Sequence, residues 1–561
     1  MTNNLYYGDN LQVLRNSIAS ESIDLIYLDP PFNSNSNYNV LFKSLAGEGS
    51  HAQIEAFEDT WHWTDEAEKA FDEVMHSGHG DAAEMLRAMR SFLKENDMMA
   101  YIAMMAIRLI ELNRVLKSTG SLYLHCDPTA SHYLKILLDG IFGNENYRNE
   151  ISWRRSAAHN DTKQGSKKYG NVRDVILFYS KSKQWQWNPQ YTGYSDEYAE
   201  SMYRFVEDGT ERRYRKDNLT AAKVGGDTRY EWRVKRPIDG EWEADLNDEH
   251  KRPQSGYEYK GVLPYGKRIW AYSRENMTKF ATTGRIAYSE SGMPNYKRYL
   301  DEMPGVALQN DWDDIKPAAG NESLGYPTQK PLALMERIIN ASSNENDVVL
   351  DPFCGCGTTI HAAEKLRRQW IGIDVTHLSI SLIEKRVRDA FPDVKFEVHG
   401  TPKDLEGAQA LANQDKYQFQ WWAVSLVNAV PYGGKKKGAD SGIDGFIYFK
   451  PDGRTTEKAI VSVKGGNNVN VSMIRDMAHV VDRENAKIGV FITLADATDP
   501  MKKEAIKAGY YETEYGKFPK LQIITIEDLF EGKKPNIPLI DTAAFKKAER
   551  DDRGVQGKMK L

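Results

Sequence analysis

Runs of apolar residues separated by amphipathic segments predict alternating strands and helices in the first part of the chain. SIDLIYL, residues Ser22–Leu28, is long and apolar enough for a buried strand. Met98–Leu116 predicts a long amphipathic helix that stops at Gly120, and Ser121–Pro128 predicts a second strand. A helix over 129–141 and a short strand over 150–153 continue this succession, which predicts a mostly parallel sheet.

The same rhythm returns after residue 320. Here the pattern predicts three helices and three strands, at Leu332–Ser342, 347–351, Ile360–Leu366, Gln369–Val375, Leu378–Ala390 and Val394–Val398. Between the two α/β stretches, residues 154–320 are rich in Tyr, Trp, Arg and Lys and show one clear strand, Asp174–Tyr179. Interleaved basic and aromatic residues suit phosphate contacts and base stacking, so this segment is predicted to face DNA, with an irregular solvated insertion as the alternative.

Charge and size support this division. Residues 151–320 carry 29 Lys and Arg against 25 Asp and Glu, a local +4 within a chain of net charge −6. A chain of 561 residues predicts about three or four domains. Three cysteines cannot form a disulfide framework, and there is neither a signal-like N-terminus nor an apolar run of about 18 residues. We therefore expect a cytoplasmic protein with no membrane segment.

DPPF, residues Asp29, Pro30, Pro31 and Phe32, comes directly after the first predicted strand. Two prolines end a strand and stiffen the adjoining backbone, because each fixes φ and lacks an N–H donor. The motif would place a carboxylate, rigid carbonyls and an aromatic ring at the carboxyl edge of the sheet, where α/β proteins bind ligands. These groups suit an exocyclic amine on a flat ring, although four residues alone also fit an ordinary Pro-Pro turn.

A second motif, VVLDPFCGCGTT, combines a strand, a glycine-rich turn and the start of a helix. Glycines let the backbone approach a ligand, and Asp374 at the end of the next strand could accept from ribose hydroxyls. The motif lacks the third glycine of a dinucleotide fingerprint and the lysine of a phosphate-binding loop. Cys354 and Cys356 have no His pair nearby, which argues against a metal site.

DPPF, the basic-aromatic insert, YPTQKP and DPFCGCGTT occur in the order of a β-class S-adenosylmethionine-dependent DNA amino-methyltransferase, and residues 1–400 resemble that family. The resemblance implies a circularly permuted Rossmann-like fold with an inserted target-recognition region. It implies a cofactor pocket for S-adenosylmethionine, formed by residues of both halves: Asp9, Thr328, Gln329, Lys330, Pro331, Asp351, Phe353, Gly355, Gly357, Thr358 and Asp374.

The chemistry needs only an amine in line with a sulfonium methyl group. Asp29 and the Pro30 carbonyl would accept the two amine hydrogens, and Phe32 would stack on a base flipped out of duplex DNA. Family usage associates Asp at the first motif position with adenine and Ser with cytosine-N4, so adenine is predicted. The alternatives are a cytosine-N4 methyltransferase, a fused restriction enzyme whose main output is cleavage, and a module that only senses DNA.

The C-terminal part resembles the Mrr-like branch of the PD-(D/E)XK nucleases, a smaller α/β domain. Asp444 and Lys464 match the family motif, whereas Ser462 stands at the position of an acidic or Gln residue. A hydroxyl is a poor Mg²⁺ ligand, so cleavage stays open, with Asp440 or Glu457 as substitutes for the missing ligand. If the nuclease is active, Asp444 would bind Mg²⁺.

The predicted organisation is a catalytic half (1–153), a target-recognition region (154–320), a cofactor-binding half (321–400), a linker (401–415), the nuclease-type domain (416–540) and a charged tail (541–561). The expected partners are double-stranded DNA, a second copy of the chain in a homodimer, and a restriction subunit. The resemblance places the protein in a restriction–modification or phage-defence system.

Overall fold

The computed structural model describes residues 3–31, 37–41, 53–58, 62–156, 167, 169–222, 228–246, 254–320, 322–324, 326, 328–432, 442–452, 455–514 and 516–538. Phe32, Asp440 and the predicted tail 541–561 lie outside these residues. Within them, no helix is long and apolar enough to cross a membrane. They form two compact units, one from residues before 189 and after 308, the other from Pro189–Leu308.

In the described residues up to 180, the first unit has seven strands and five α-helices. They are β1 Asn3–Tyr7, α1 Asn10–Ser17, β2 Ile23–Leu28, β3 Asn37–Leu41, β4 Gln53–Glu58, α2 Asp65–His76, α3 Gly80–Leu93, α4 Asp97–Val115, β5 Leu116–Cys126, α5 Ser131–Phe142, β6 Tyr147–Arg154 and β7 Arg173–Ser180. The predicted strand at 22–28 and the long helix at 98–116 are confirmed to within one residue, whereas β5 begins at Leu116, five residues before the strand predicted at 121–128. β1 was not predicted, because NNLYY has no apolar run.

The second unit is richer in strands than the sequence predicted. Its elements are β8 Tyr191–Thr192, α6 Asp196–Met202, β9 Phe205–Val206, β10 Arg213–Asn218, β11 Thr220–Ala221, β12 Trp232–Pro237, β13 Glu243–Ala244, β14 Tyr257–Val262, β15 Ile269–Trp270, α7 Arg274–Thr282, β16 Ile286–Tyr288, β17 Pro294–Tyr299 and β18 Val306–Ala307. The prediction of one clear strand in 154–320 was wrong. Several of these strands consist mainly of charged and polar residues, as in RYRKDN of β10, so they lack an apolar run.

The first unit then adds β19 Asp311–Trp312, α8 Leu332–Ser342, β20 Val348–Asp351, α9 Thr358–Lys365, β21 Gln369–Asp374, α10 His377–Ala390 and β22 Phe396–His399. A nine-stranded sheet in the order β19-β6-β7-β5-β2-β20-β21-β1-β22 joins them to the N-terminal strands. From β5 to β22 every pairing is parallel, and β7 runs antiparallel to both of its neighbours. The predicted mostly parallel, permuted Rossmann-like sheet is confirmed.

Helices cover both faces of this sheet. On one face, α4 is buried along most of its length and packs with α1, α2, α3 and α5. On the other face, α8, α9 and α10 cover the strands, with Trp370 fully buried at the centre of that core. Two complete layers of helix explain why the central strands are apolar on both sides, the property that made them visible in the sequence.

The C-terminal elements are α11 Leu405–Gln414, α12 Lys416–Leu426, β23 Val430–Pro431, β24 Gly445–Phe449, β25 Glu457–Lys464, α13 Val471–Arg483, β26 Ile488–Thr493, α14 Asp499–Lys507, β27 Tyr510–Thr513, β28 Gly516–Pro519, β29 Leu521–Thr525 and α15 Ile526–Phe530. A five-stranded sheet in the order β23-β24-β25-β26-β29 forms the smaller α/β domain that the sequence predicted. The linker predicted for 401–415 instead contains α11, whose Ala408 and Leu411 are buried in the core of this domain.

Candidate active site

Three adjacent parallel strands present a carboxylate at the same edge of the nine-stranded sheet. Asp29 comes directly after β2, Asp351 ends β20 and Asp374 ends β21. Because β2 pairs with β20 and β20 pairs with β21, these strand ends lie side by side. All three residues line one cavity of about 390 Å³. Motifs more than 300 residues apart in sequence thus meet at one site.

The cavity wall contains most of the residues that the sequence assigned to the reaction or the cofactor, namely Asp9, Asp29, Pro31, Thr328, Lys330, Asp351, Phe353, Gly355, Thr358 and Asp374. The wall does not include Pro30, which is buried, nor Gln329, Pro331 or Gly357. Phe32 lies outside the described residues.

Asp29 has one paired and one unpaired oxygen. Its Oδ2 atom forms an ion pair with Lys330 Nζ. Its Oδ1 atom is buried and accepts no hydrogen bond from any described residue. A buried acceptor without a donor costs free energy, and native proteins keep few of them. The cavity wall therefore includes a carboxylate with one oxygen that no described residue pairs.

The glycine-rich turn is hydrogen-bonded to the end of β21. Gly355 N donates to Asp374 Oδ2 at 2.9 Å, and Asp374 Oδ1 accepts from the backbone N and the hydroxyl of Thr376, both at 2.9 Å. Gly355 has a φ of +48°, a left-handed conformation that favours glycine. Each Asp374 oxygen keeps further acceptor capacity, so the carboxylate can still bind a hydroxyl group.

Gly357 serves the packing of this turn and does not face the ligand space. It caps α9 with a φ of +76°, and a Cβ atom there would lie 2.7 Å from Ile383 Cγ1 of α10. The nearly buried Arg386 of α10 donates to the carbonyl of Cys356 at 3.0 Å and to the Thr358 hydroxyl at 3.2 Å. Both interactions hold the turn against α10, and neither cysteine belongs to a metal cluster within the described residues.

Asp351 is the most deeply buried carboxylate of the cavity, with 3% of its surface exposed. Its Oδ1 atom accepts from Phe353 N at 3.1 Å. Burial raises the pKa of Asp351 to about 7, and the negative charges of Asp29 and Asp374 add to this effect. Burial also raises the pKa of Asp374. Ionising these groups without a cation costs free energy, so the cavity favours a ligand that carries positive charge.

Arg108 was missed by the sequence analysis. It donates through Nε to Asn10 Oδ1 and through a terminal nitrogen to Asp9 Oδ2, both at 2.7 Å. Asn10 in turn donates to the Pro352 carbonyl at 2.9 Å, beside the glycine-rich turn. One signal was present in the sequence: Arg108 is a single arginine within the apolar segment YIAMMAIRLI of α4. A buried arginine in such a helix requires polar partners.

Some residues of the YPTQKP segment line the cavity, and others stabilise the conformation of the segment itself. Lys330 reaches Asp29, whereas Gln329 accepts from Leu324 N at 2.7 Å and donates to the Glu322 carbonyl at 2.8 Å. Pro331 caps the start of α8. Gln329 and Pro331 therefore shape the segment, and Tyr326, Thr328 and Lys330 are its described residues on the cavity wall.

The second candidate site lies on the β24–β25 hairpin. Asp444 Oδ2 accepts from Val463 N at 2.6 Å, and Ser462 Oγ donates to the same oxygen at 3.4 Å. Lys464 ends β25 two residues later. Glu457 pairs with Phe449 at the far end of the hairpin, whereas Val461 pairs with Gly445 beside Asp444. At the usual rise per residue of a strand, Glu457 lies about 13 Å from Val461, so it cannot share a cation with Asp444. Among the described residues, no group of three or more His, Cys, Asp or Glu could hold a metal.

Comparison with known proteins assigns this architecture to a family. The DNA methylase family model matches residues 23–385, and the chain belongs to that family. Residues 411–530 match the restriction endonuclease model of the Mrr catalytic domain. The resemblance found in both parts of the sequence is thereby confirmed.

Individual relatives match parts of the chain. It is 31% identical over 289 residues to the type II methyltransferase M.EcaI of Enterobacter cloacae, covering 51% of this chain and 57% of the relative. It is 26% identical over 383 residues to the Mod subunit of the type III restriction-modification enzyme StyLTI of Salmonella typhimurium, covering 64% and 50%. The chain thus spans about half the length of these curated relatives. The solved PvuII cytosine-N4-specific DNA methyltransferase aligns at 12% identity with a TM-score of 0.31, over 68% of this chain and 86% of that one.

Proposed function

We propose that this chain transfers a methyl group from S-adenosylmethionine to the exocyclic amine of an adenine flipped out of duplex DNA, within a short recognition sequence. The observation that carries the proposal is Asp29, a cavity carboxylate with one oxygen fixed by Lys330 and the other buried without a donor among the residues that the structure describes. An exocyclic amine supplies the donor that this oxygen lacks. Membership of the DNA methylase family supports the same reaction.

The cavity suits S-adenosylmethionine in size and in charge. Its volume of about 390 Å³ lies within the usual range of small-molecule sites. Asp9, Asp351 and Asp374 supply acceptors for amine and hydroxyl groups, and burial together with the charges of Asp29 and Asp374 raises the pKa of Asp351, which a positively charged ligand would offset. S-adenosylmethionine carries a sulfonium and an ammonium group. Asp374, at the end of β21, would hold the ribose, and Thr328 would face the methionine end.

The protein's part in the reaction is positioning and electrostatics. S-adenosylmethionine supplies an electrophilic methyl group on positively charged sulfur. Asp29 Oδ1 would accept a hydrogen bond from the amine, which frees the nitrogen lone pair from conjugation with the ring. Lys330 keeps the other Asp29 oxygen occupied, so the carboxylate presents a single orientation. Effects of this kind supply most of the rate when no covalent intermediate forms.

Base choice rests on the motif and DNA binding on the second unit. Asp at the first position of DPPF favours adenine over cytosine-N4. In the second unit, aromatic side chains such as Tyr265 and Tyr257 are exposed on a fold that also carries many Arg and Lys side chains. We assign DNA contact to this unit because stacking surfaces beside cations suit an extruded base and its phosphates. A homodimer and a separate restriction subunit belong to the same proposal.

A second candidate function is Mg²⁺-dependent DNA cleavage by the C-terminal domain. The hairpin that places Asp444 against Ser462, with Lys464 two residues further, favours it, as does the match to a restriction endonuclease model. A single carboxylate is a weak Mg²⁺ site, so cleavage on this hairpin would need a further ligand.

The test is expression in a host that lacks DNA methyltransferases, followed by direct sequencing of modified bases. We expect methyladenine at one short motif, and its loss in Asp29→Ala. Asp24→Ala is the matched control, because Asp24 lies on the same strand and pairs with Lys117 at 2.7 Å, at the other end of β2. Methylcytosine would refute the base assignment. Unchanged methylation in Asp29→Ala would refute the role of Asp29.

A further inference from the structure

A chain of three buried polar side chains crosses the sheet beneath the DPPF motif. Tyr27 Oη lies 2.9 Å from His125 Nδ1, and His125 Nε2 lies 3.2 Å from Asp174 Oδ2. Arg155 Nε lies 3.3 Å from the other oxygen of Asp174. The three buried residues come from β2, β5 and β7, which are neighbours in the sheet. Tyr27 lines the cavity, so this row of three side chains begins at the cavity wall.

Burying these three polar side chains in the core costs free energy. Tyr27 and Asp174 each expose 2% of their surface and His125 exposes none. Although burial opposes ionisation, the hydrogen bond from His125 and the positive charges of Arg155 and Lys330 hold the pKa of Asp174 below its usual range. An ionised Asp174 only accepts hydrogen bonds, so His125 donates through Nε2–H. In the neutral tautomer that carries this proton, His125 Nδ1 accepts from the Tyr27 hydroxyl, so the hydrogen bonds run in one direction from Tyr27 to Asp174.

The location of Tyr27 connects the three hydrogen-bonded side chains to the Asp29 carboxylate. Tyr27 and Asp29 are two residues apart, and alternate residues of a strand lie on the same face. The β2–β5 ladder ends at Leu28, paired with Leu124. Pro30 and Pro31 have no N–H groups, so the backbone beyond Asp29 cannot extend the ladder. Tyr27 is therefore the last residue of β2 before the motif with a buried polar side chain.

We propose that Tyr27, His125 and Asp174 are positioning residues for Asp29, which hold the end of β2 so that the Asp29 carboxylate keeps one orientation toward the reacting amine. This inference rests on the proposed methyl transfer. Asp174 also acts electrostatically on Lys330, the cation that pairs with Asp29, so the array is linked to the carboxylate along two routes.

The first test compares Tyr27→Phe with Tyr123→Phe. Tyr123 is a matched control, because it is 2% exposed on neighbouring β5, donates or accepts one hydrogen bond with Ser342 at 2.7 Å, and is not on the cavity wall. In single-turnover methylation with saturating DNA and cofactor, we expect Tyr27→Phe to be about 10–100-fold slower, as for a small misplacement of a reacting group. The Kd for S-adenosylhomocysteine should stay within about twofold of wild type, and Tyr123→Phe should react normally.

A double variant tests whether the residues act as a unit. Tyr27→Phe/His125→Asn should be no slower than the slower single variant, since members of one array are not additive. Equal rates for Tyr27→Phe and wild type, or independent multiplicative losses, would overturn the inference.

Hydrogen–deuterium exchange of the peptide covering 23–32 gives a readout that needs no activity. We expect faster exchange in Tyr27→Phe than in Tyr123→Phe. A wild-type protein that methylates no DNA would refute the proposed function. In that case the exchange data would still decide the inference, and identical exchange in both variants would overturn it.

Discussion

The raised pKa of Asp351 makes a prediction about stability in the absence of cofactor. The carboxyl group has an ordinary pKa of 3.8 and a pKa of about 7 in the folded protein, because it is buried near Asp29 and Asp374. The folded state therefore holds a proton that the unfolded chain has lost. Stability from this group is fully present below pH 4 and is lost as the pH rises through 7. Asp351→Asn removes the titration.

The size of the pKa shift of Asp351 determines how much the free energy of unfolding changes with pH. A difference of about three pKa units corresponds to roughly 4 kcal/mol over the whole range. Integrated between pH 5 and pH 8, the linkage relation gives about 2–3 kcal/mol. The free energy of unfolding of wild type should thus fall by about 2–3 kcal/mol more than that of Asp351→Asn over this interval.

Urea unfolding of the cofactor-free protein at pH 5, 6, 7 and 8 measures this difference. Asp351→Ala is the control, because it also removes the titrating group but leaves a cavity and loses the bond from Phe353 N. The two variants should differ by a constant offset and share one pH dependence. If the stability difference between wild type and Asp351→Asn stayed constant from pH 5 to 8, the account of Asp351 as a buried acid would be refuted.

Three further predictions address other parts of the first unit. Arg108→Met should weaken binding of S-adenosylhomocysteine about tenfold, because Asp9 and Asn10 lose charge-assisted hydrogen bonds; unchanged affinity by calorimetry would contradict it. Trp421→Ala should destabilise the protein by about 3–5 kcal/mol and also weaken cofactor binding, because Trp421 of α12 packs against Tyr326 and Cys356 of the cavity wall; normal binding in the destabilised variant would separate the two effects. Ser462→Glu should produce or strengthen Mg²⁺-dependent plasmid cleavage that Asp444→Ala removes; no cleavage at any Mg²⁺ concentration would show that the missing acid is not what limits the hairpin.

The sequence predicted elements that carry a local signal. Apolar runs identified β2 and β20, and the closely spaced glycines identified the turn at Gly355. What it could not supply were pairings that only the fold creates. His125 meets Tyr27 across 98 residues and Asp174 across 49, and each of the three is unremarkable within its own strand. The strands of the second unit were missed for a different reason: they are short and rich in charged residues, with one or two buried apolar side chains each, as in β10 and β12, so their composition resembles that of a basic loop.

The order of strands explains why residues from the start of the chain belong to the cofactor site. β1 lies between β21 and β22, the last strands of the sheet to occur in sequence. Gly8 N, directly after β1, donates to the Asp374 carbonyl at 2.9 Å, and Asn10 donates to the Pro352 carbonyl. The first ten residues therefore close the sheet beside the glycine-rich turn, and β2 then returns across it to place Asp29 next to Asp351. In this permuted arrangement the catalytic and cofactor motifs are distant along the chain because the segment between them contains the complete second unit, yet adjacent in space because β2 and β20 are hydrogen-bonded neighbours.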